Sequence, residues 1–189
     1  MKRSIFHWFS MLILITMTVS LASCKDDDND EDLNASLAAL KQWTAGTVVT
    51  EAAVTAYGGV DNCFISEQIP DKVWSRMEGK SYQENNYIQR SDLRYIRALH
   101  WNSNNQICLG EIVCNERIAL TLATVLKNLI KAKYPIERML LPDNYGADSE
   151  QQKQVNNTWC FSYRAASGSQ TLSKHDLGLA VDLNPGEPS

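Results

Sequence analysis

The stretch from Ser173 to Asp182 holds the residues of this chain whose types and spacing best suit metal chemistry. His175 and Asp182 stand seven positions apart, with Gly178 and Ala180 between them. An imidazole nitrogen and a carboxylate oxygen are both ligands for a borderline divalent metal such as zinc. The two small residues would keep the intervening backbone close and unobstructed. A lone histidine is more often a hydrogen-bonded structural residue, so the full pattern must carry the prediction.

The full pattern Ser-x-His-x-x-Gly-x-Ala-x-Asp is followed by Leu183-Asn184-Pro185. It resembles the zinc-ligand motif of the D-alanyl-D-alanine carboxypeptidase family of metallopeptidases. That family includes carboxypeptidases, D-Ala-D-Ala dipeptidases and L-Ala-D-Glu endopeptidases that act on bacterial cell-wall peptides. The resemblance implies that His175 and Asp182 bind Zn²⁺ and that the substrate is a peptidoglycan stem peptide. It leaves open which peptide bond is cleaved.

Shorter elements extend the resemblance over residues 64–185, in the order seen in the endopeptidase-like branch of the family. They lie at 92–95, 110–113, 115, 118–119, 134–136, 156–158, 163–164 and 172–173. The implied fold is α+β, with a small antiparallel sheet and helices packed to one side, as in hedgehog-like and D-Ala-D-Ala peptidase-like domains.

Two more residues are candidates for the catalytic site. By similarity to the Tyr-Arg element of the family, Arg164 would point into the site and stabilise a developing oxyanion. The alternative for Arg164 is a surface salt bridge. Ser173 would hydrogen-bond the substrate or orient a neighbour of the metal, and its alternative is a turn residue that caps local backbone.

The family places its third ligand, a histidine, and a catalytic acid downstream of the motif, where only four residues, 186–189, follow Pro185. His100 ends a predicted strand where the resemblance assigns no ligand, and Glu187 is too near Asp182 to be recast as the base. We therefore expect a domain cut short, with weak zinc binding and little peptidase activity. The alternatives are a non-catalytic lipoprotein that binds wall peptides, and a truncated inactive product.

The N-terminus is typical of a targeting segment, because Lys2 and Arg3 precede a short apolar stretch. Leu21-Ala22-Ser23-Cys24 resembles a bacterial lipobox, which implies cleavage after residue 23 and a lipid anchor on Cys24. The alternative is a plain secretory signal. Lys25-Asp26-Asp27 resembles a surface-export signal. We expect an outer-membrane lipoprotein, at the cell surface rather than the periplasmic face.

The acidic run at residues 25–32 predicts a solvated, extended tether. The expected organisation is a signal at 1–23, a tether and short helix at 24–45, and a peptidase domain at 46–189. A formal net charge of -4 without a basic stripe makes nucleic acid an improbable partner. Four cysteines beyond Cys24 remain either as disulfides, with Cys108 and Cys114 unsuited to each other, or as buried thiols.

Hydrophobic periodicity predicts the elements that must position the site. Strands are expected at 93–99 and 107–113 as a hairpin, and a helix at 116–134 with Asn115 as its N-cap and Pro135 after its end. A short helix is expected near 33–43, and a connector or early strand at 45–59. Residues 143–157 are expected to be a loop, and 158–163 and 178–183 to be short strands that flank the turn of His175.

Overall fold

The computed structural model describes residues 26–163 and 172–186, and these residues form an α+β domain. The helices and strands follow in this order: α1 (Asp26–Gln42), β1 (Val48–Val49), α2 (Glu51–Ala56), β2 (Ile65–Glu67), α3 (Asp71–Met77), β3 (Leu93–Trp101), β4 (Ile107–Asn115), α4 (Glu116–Lys131) and α5 (Ser149–Gln154). Short 3₁₀ turns occur at Val60–Cys63, Arg90–Asp92 and Pro142–Tyr145. Within the described residues, no helix is long and apolar enough to cross a membrane.

The sheet has four strands in the order β1-β4-β3-β2, and each neighbouring pair is antiparallel. The predicted hairpin is confirmed, since β3 and β4 pair over nine residues from Leu93 opposite Asn115 to Trp101 opposite Ile107. Asn102 shapes its turn, because its side chain accepts hydrogen bonds from the backbone of Asn104 and Gln106. The α+β class and the antiparallel sheet therefore agree with the sequence-based prediction.

Helices cover both faces of the sheet, and not one side as the resemblance implied. Successive residues of a strand point to opposite faces, and all nine residues of β4 are buried. On one face Ile112 and Cys114 pack with Leu126 of α4. On the other face Val113 packs with Met77 of α3. The reason for the difference is that the residues of β4 on each of its two faces are mostly apolar or small, so both faces must be covered.

Helix α4 follows the prediction closely at its start. The Asn115 side chain accepts a hydrogen bond from the backbone N–H of Arg117 at 3.1 Å, which makes it the N-cap. The helix ends at Lys131, before Tyr134 and Pro135. The buried stripe of α4 is formed by Ala119, Leu122, Leu126 and Ile130, whereas Val125 is 46% exposed.

The acidic run differs from prediction, because most of it is helical and not extended. Helix α1 begins at Asp26, inside the expected tether, and continues to Gln42. Carboxylates near a helix N-terminus interact favourably with its macrodipole. Leu40 is fully buried and Trp43 is 8% exposed, both in the core cluster that includes Leu109 of β4. Leu40 and Trp43 thus contribute to the same core as the domain that follows them.

Two other segments contain more secondary structure than expected, and one pair of segments contains less. Residues 45–59 contain both β1 and α2, and residues 143–157 contain a 3₁₀ turn and α5 where a loop was predicted. The two short strands expected at 158–163 and 178–183 are reduced to one antiparallel bridge between Trp159 and Asp182. Each of the four cysteines beyond Cys24 is a buried free thiol, which is one of the two alternatives from the sequence.

The edge of β4 opposite β3, which pairs with β1 over two residues only, contacts four separate segments of the chain. Leu109 N–H donates to Thr47 O, and Glu111 N–H donates to Met139 O. Val113 O accepts from Phe161 N–H, and Asn115 N–H donates to Gly178 O at 2.9 Å. The last two contacts bring both segments of the predicted metal site to the end of β4, beside the start of α4.

Candidate metal centre

The turn that presents His175 is closed by a reciprocal pair of hydrogen bonds. Ser173 N–H donates to the Asp176 carboxylate at 2.7 Å, and Asp176 N–H donates to Ser173 Oγ at 3.1 Å. Leu179 N–H and Gly178 N–H bond back to Lys174 O and His175 O at 2.8 and 3.0 Å. These contacts favour the capping role for Ser173 among its two alternatives. They also give Asp176 a function in the turn.

Gly178 is required where the turn meets β4. Its φ of +64° lies in the left-handed region. A Cβ at this position would lie 2.7 Å from the backbone N of Asn115. Its carbonyl accepts the Asn115 N–H at 2.9 Å and the Cys160 thiol at 3.3 Å. The glycine therefore allows the close backbone approach that the sequence pattern predicted.

Asp182 is positioned through its backbone. It forms both hydrogen bonds of the bridge to Trp159, at 3.1 and 3.0 Å. Two residues later, the buried Asn184 side chain accepts from Glu137 N–H and donates to Pro135 O, at 3.1 and 2.9 Å. Asn184 of the motif thus connects the residues that follow Asp182 to the segment that follows α4.

His175 and Asp182 come together as the motif predicted. His175 Nε2 lies 3.3 Å from Asp182 Oδ1. His175 Nδ1 lies 2.8 Å from the carbonyl oxygen of Cys160. Because a carbonyl oxygen only accepts, Nδ1 donates its proton to Cys160 O, and Nε2 is the ring nitrogen that faces Asp182. A backbone carbonyl on the far ring nitrogen is the usual support of a metal-binding histidine.

The imidazole is also held from its face. The ring of Trp159 stacks on His175 with centroids 4.2 Å apart and an angle of 29° between the planes. Trp159 is buried, and its Nε1 has no hydrogen-bond partner within the described part of the chain, so stacking is its side-chain contact with the site. Trp159 is therefore a core residue that also contacts the site.

The pair fits one zinc ion. Two ligands that each lie about 2.0–2.1 Å from a tetrahedral ion are about 3.3 Å apart. The Nε2–Oδ1 distance agrees with that separation. The two side chains are 20% and 36% exposed, so the pair is open to solvent on one side. His175 and Asp182 can therefore hold the ion together while a small molecule reaches it.

A third ligand is not found within residues 26–163 and 172–186, where no group of three or more His, Cys, Asp or Glu side chains is arranged to hold a metal. His100 does not contribute, because it is 3% exposed in β3 and its Nδ1 bonds Ile136 O at 2.7 Å. Burial lowers the pKa of the His100 imidazole, so it is neutral and structural.

The remaining predicted site residues, Arg164 and Cys24, lie outside the described residues. The segment that leads to Arg164 is firmly held. Phe161 N–H donates to Val113 O at 3.0 Å, Ser162 N–H donates to His175 O at 3.2 Å, and Tyr163 N–H donates to Ser81 O at 2.8 Å. Residues 161–163 therefore run beside the turn of His175.

Sequence reasoning missed the residues that support the pair. Trp159 and Cys160 act through a ring face and a backbone carbonyl, and neither contact leaves a periodic signal in the sequence. Comparison of the chain with protein-family models, with curated proteins and with solved structures finds no match in any of the three.

Proposed function

We propose that this chain is a zinc-dependent peptidase domain that acts on peptidoglycan stem peptides and is held at the outer membrane by lipid on Cys24. The observation that carries the proposal is the His175–Asp182 pair, with Nε2 and Oδ1 3.3 Å apart and Nδ1 tied to Cys160 O. The resemblance of residues 173–185 to the D-alanyl-D-alanine carboxypeptidase family supports the substrate class.

The residues have distinct roles in this proposal. His175 offers Nε2 as a ligand, and Asp182 offers a carboxylate oxygen that lowers the net charge of the site. A zinc ion held there supplies Lewis-acid activation of water and of the scissile carbonyl. Cys160 O and the Trp159 ring keep the imidazole from rotating away. Arg164 binds the substrate carbonyl oxygen as negative charge develops on it.

Zinc binding with chemical rescue tests the metal site. We expect His175→Gly to lose zinc in chelator competition and added imidazole to restore part of it, because the free ring fills the vacated position. Asp182→Asn should also lose zinc, and imidazole should not restore it. Asp61→Asn is the matched control. Asp61 is an exposed carboxylate that does not belong to the His175–Asp182 pair, and its Oδ1 lies 2.9 Å from Lys127 Nζ. Zinc binding that survives His175→Gly unchanged would overturn the site.

Incubation with a stem peptide tests the activity. Zinc-dependent hydrolysis that is lost in His175→Gly supports the peptidase, and mass spectrometry of the products identifies the bond. Zinc-dependent binding of the peptide without cleavage would instead make the chain a wall-peptide-binding lipoprotein. Neither binding nor cleavage, with zinc bound, would reject the substrate class.

A further inference from the structure

A second recess lies on the sheet face that carries Tyr95, Arg97 and Glu111. It is a cavity of about 410 Å³, and neither His175 nor Asp182 lines it. Residues from the end of α1 and from α3 form its other walls, among them Trp43, Lys72 and Arg76. Its volume lies in the range of small-molecule sites in proteins.

The buried carboxylate in this recess is already satisfied. Glu111 is 2% exposed and receives two hydrogen bonds from the Arg76 guanidinium, at 2.6 and 3.2 Å. The Tyr95 hydroxyl donates a third, at 2.8 Å. This two-point pairing fixes Arg76 against the sheet and uses the acceptors of Glu111.

Arg97 is the cation of the recess that an ion pair and a ring contact position within the described residues. Arg97 Nε lies 3.4 Å from Glu67 Oε1, and this buried Nε makes no hydrogen bond within the described part of the chain. The Arg97 guanidinium lies 5.4 Å from the Trp43 ring centroid, which holds it flat by a cation–π contact. Trp43 is itself fixed, because its Nε1 donates to Gly110 O at 3.0 Å.

We propose that this recess is a binding site for a small organic carboxylate. Three cations, Lys72, Arg76 and Arg97, face two carboxylates, Glu67 and Glu111, so the lining has a net charge of +1. Within the described residues, Glu67 is the carboxylate that forms an ion pair with Arg97. A carboxylate matches a guanidinium in shape and accepts two parallel hydrogen bonds from it.

Calorimetric titration of the full chain with glutarate, in a buffer free of other carboxylates and of phosphate, tests the proposal. We expect one saturable site that weakens as salt is added. Arg97→Gln should weaken binding about tenfold or more, because a charge-assisted contact is lost. Lys72→Gln should also weaken glutarate binding. Because Lys72 is exposed, this variant is expected to fold, and it tests the proposal even if Arg97→Gln does not fold.

Arg94→Gln is the matched control. Arg94 also lies in β3 and also pairs with a glutamate, Glu116 at 2.6 Å, but it points to the other face of the sheet. Its variant should bind glutarate as the unmodified chain does. Glutaramide, the uncharged diamide, should not bind. No saturable heat with glutarate, equal binding of the diamide, or equal losses in Arg94→Gln and Arg97→Gln would each overturn the proposal.

Discussion

Trp159 contacts both members of the candidate metal pair, with its ring stacked on His175 and its backbone bridged to Asp182. The ring centroids of Trp159 and His175 are 4.2 Å apart. The bridge sets where Asp182 lies along the strand, and the stacking sets how the imidazole is turned. One buried residue thus contacts both members of the pair, which stand seven positions apart in the sequence.

Trp159→Leu is expected to reduce zinc affinity about tenfold or more, a typical loss when a residue that orients a ligand is removed. Trp159→Phe keeps an aromatic face and should lose much less. Chelator competition measures both, with circular dichroism as the check on folding. Equal affinity in the two folded variants would show that the stacking does not orient His175.

Gly178→Ala is expected to destabilise the fold by two separate effects. The left-handed φ of +64° costs a non-glycine residue about 1–2 kcal/mol, and the overlap with Asn115 N costs about 1–3 kcal/mol more. Gly79→Ala is the matched control, because Gly79 has φ +75° and nothing within 4 Å of its Cβ position. Urea denaturation should show the larger loss for Gly178→Ala. Equal losses would mean that the turn shifts without cost.

In a form of the domain that holds the third ligand and the catalytic acid that the resemblance implies, Arg164→Ala is expected to lower kcat about 10²–10³-fold if Arg164 stabilises the oxyanion, which corresponds to about 2.7–4 kcal/mol of the barrier. Zinc affinity should stay unchanged, because the guanidinium does not bind the metal. Steady-state hydrolysis of a stem peptide, together with zinc titration, separates the two effects. An unchanged kcat would assign Arg164 to a surface salt bridge.

Asp143 makes stability depend on pH in an identifiable direction. Burial raises the pKa of its carboxyl above the ordinary 3.8, although two hydrogen bonds from Ser81 oppose the shift. The folded state therefore favours the neutral form, and this contribution is full below 3.8 and is lost as the pH rises through the raised pKa. Asp143→Asn stays neutral, so it should gain stability relative to the unmodified chain as the pH rises.

Urea denaturation across a pH series measures that difference, and Asp61→Asn serves as its control. Lys127 lowers the pKa of the exposed Asp61 carboxyl, so the pH dependence of this control has the opposite sign. The contribution of Asp61 is present above 3.8 and is lost as the pH falls through its lowered pKa. Parallel stability curves for the unmodified chain and Asp143→Asn would contradict the role given to Asp143.

Cys24→Ser is expected to release the protein from the membrane fraction and to abolish incorporation of a labelled fatty acid. Acyl chains on Cys24 would anchor the chain by burying methylene groups in the bilayer. Fractionation and labelling of the two forms side by side provide the measurement. Equal labelling of both would leave the plain secretory signal as the explanation.

The candidate ligands followed from the sequence because residue type and spacing within one turn are local properties. The hairpin and the start of α4 followed for the same reason, through alternation in β3 and β4 and the polar cap at Asn115. The acidic run was misjudged, since its composition favours an extended chain. The run instead forms the first part of α1, and α1 is packed against the core by Leu40 near its other end.

What the sequence by itself determined is therefore the pair of ligand types, the antiparallel hairpin and the capped helix. Only the tertiary structure decided that the pair meets, because the contacts that bring it together join residues far apart in the chain. Cys160 O reaches His175 Nδ1, Trp159 bridges Asp182, and Gly178 packs on Asn115, 63 positions earlier. These long-range contacts depend on where the end of β4 and the start of α4 lie in the folded domain, and no short window of sequence contains that information.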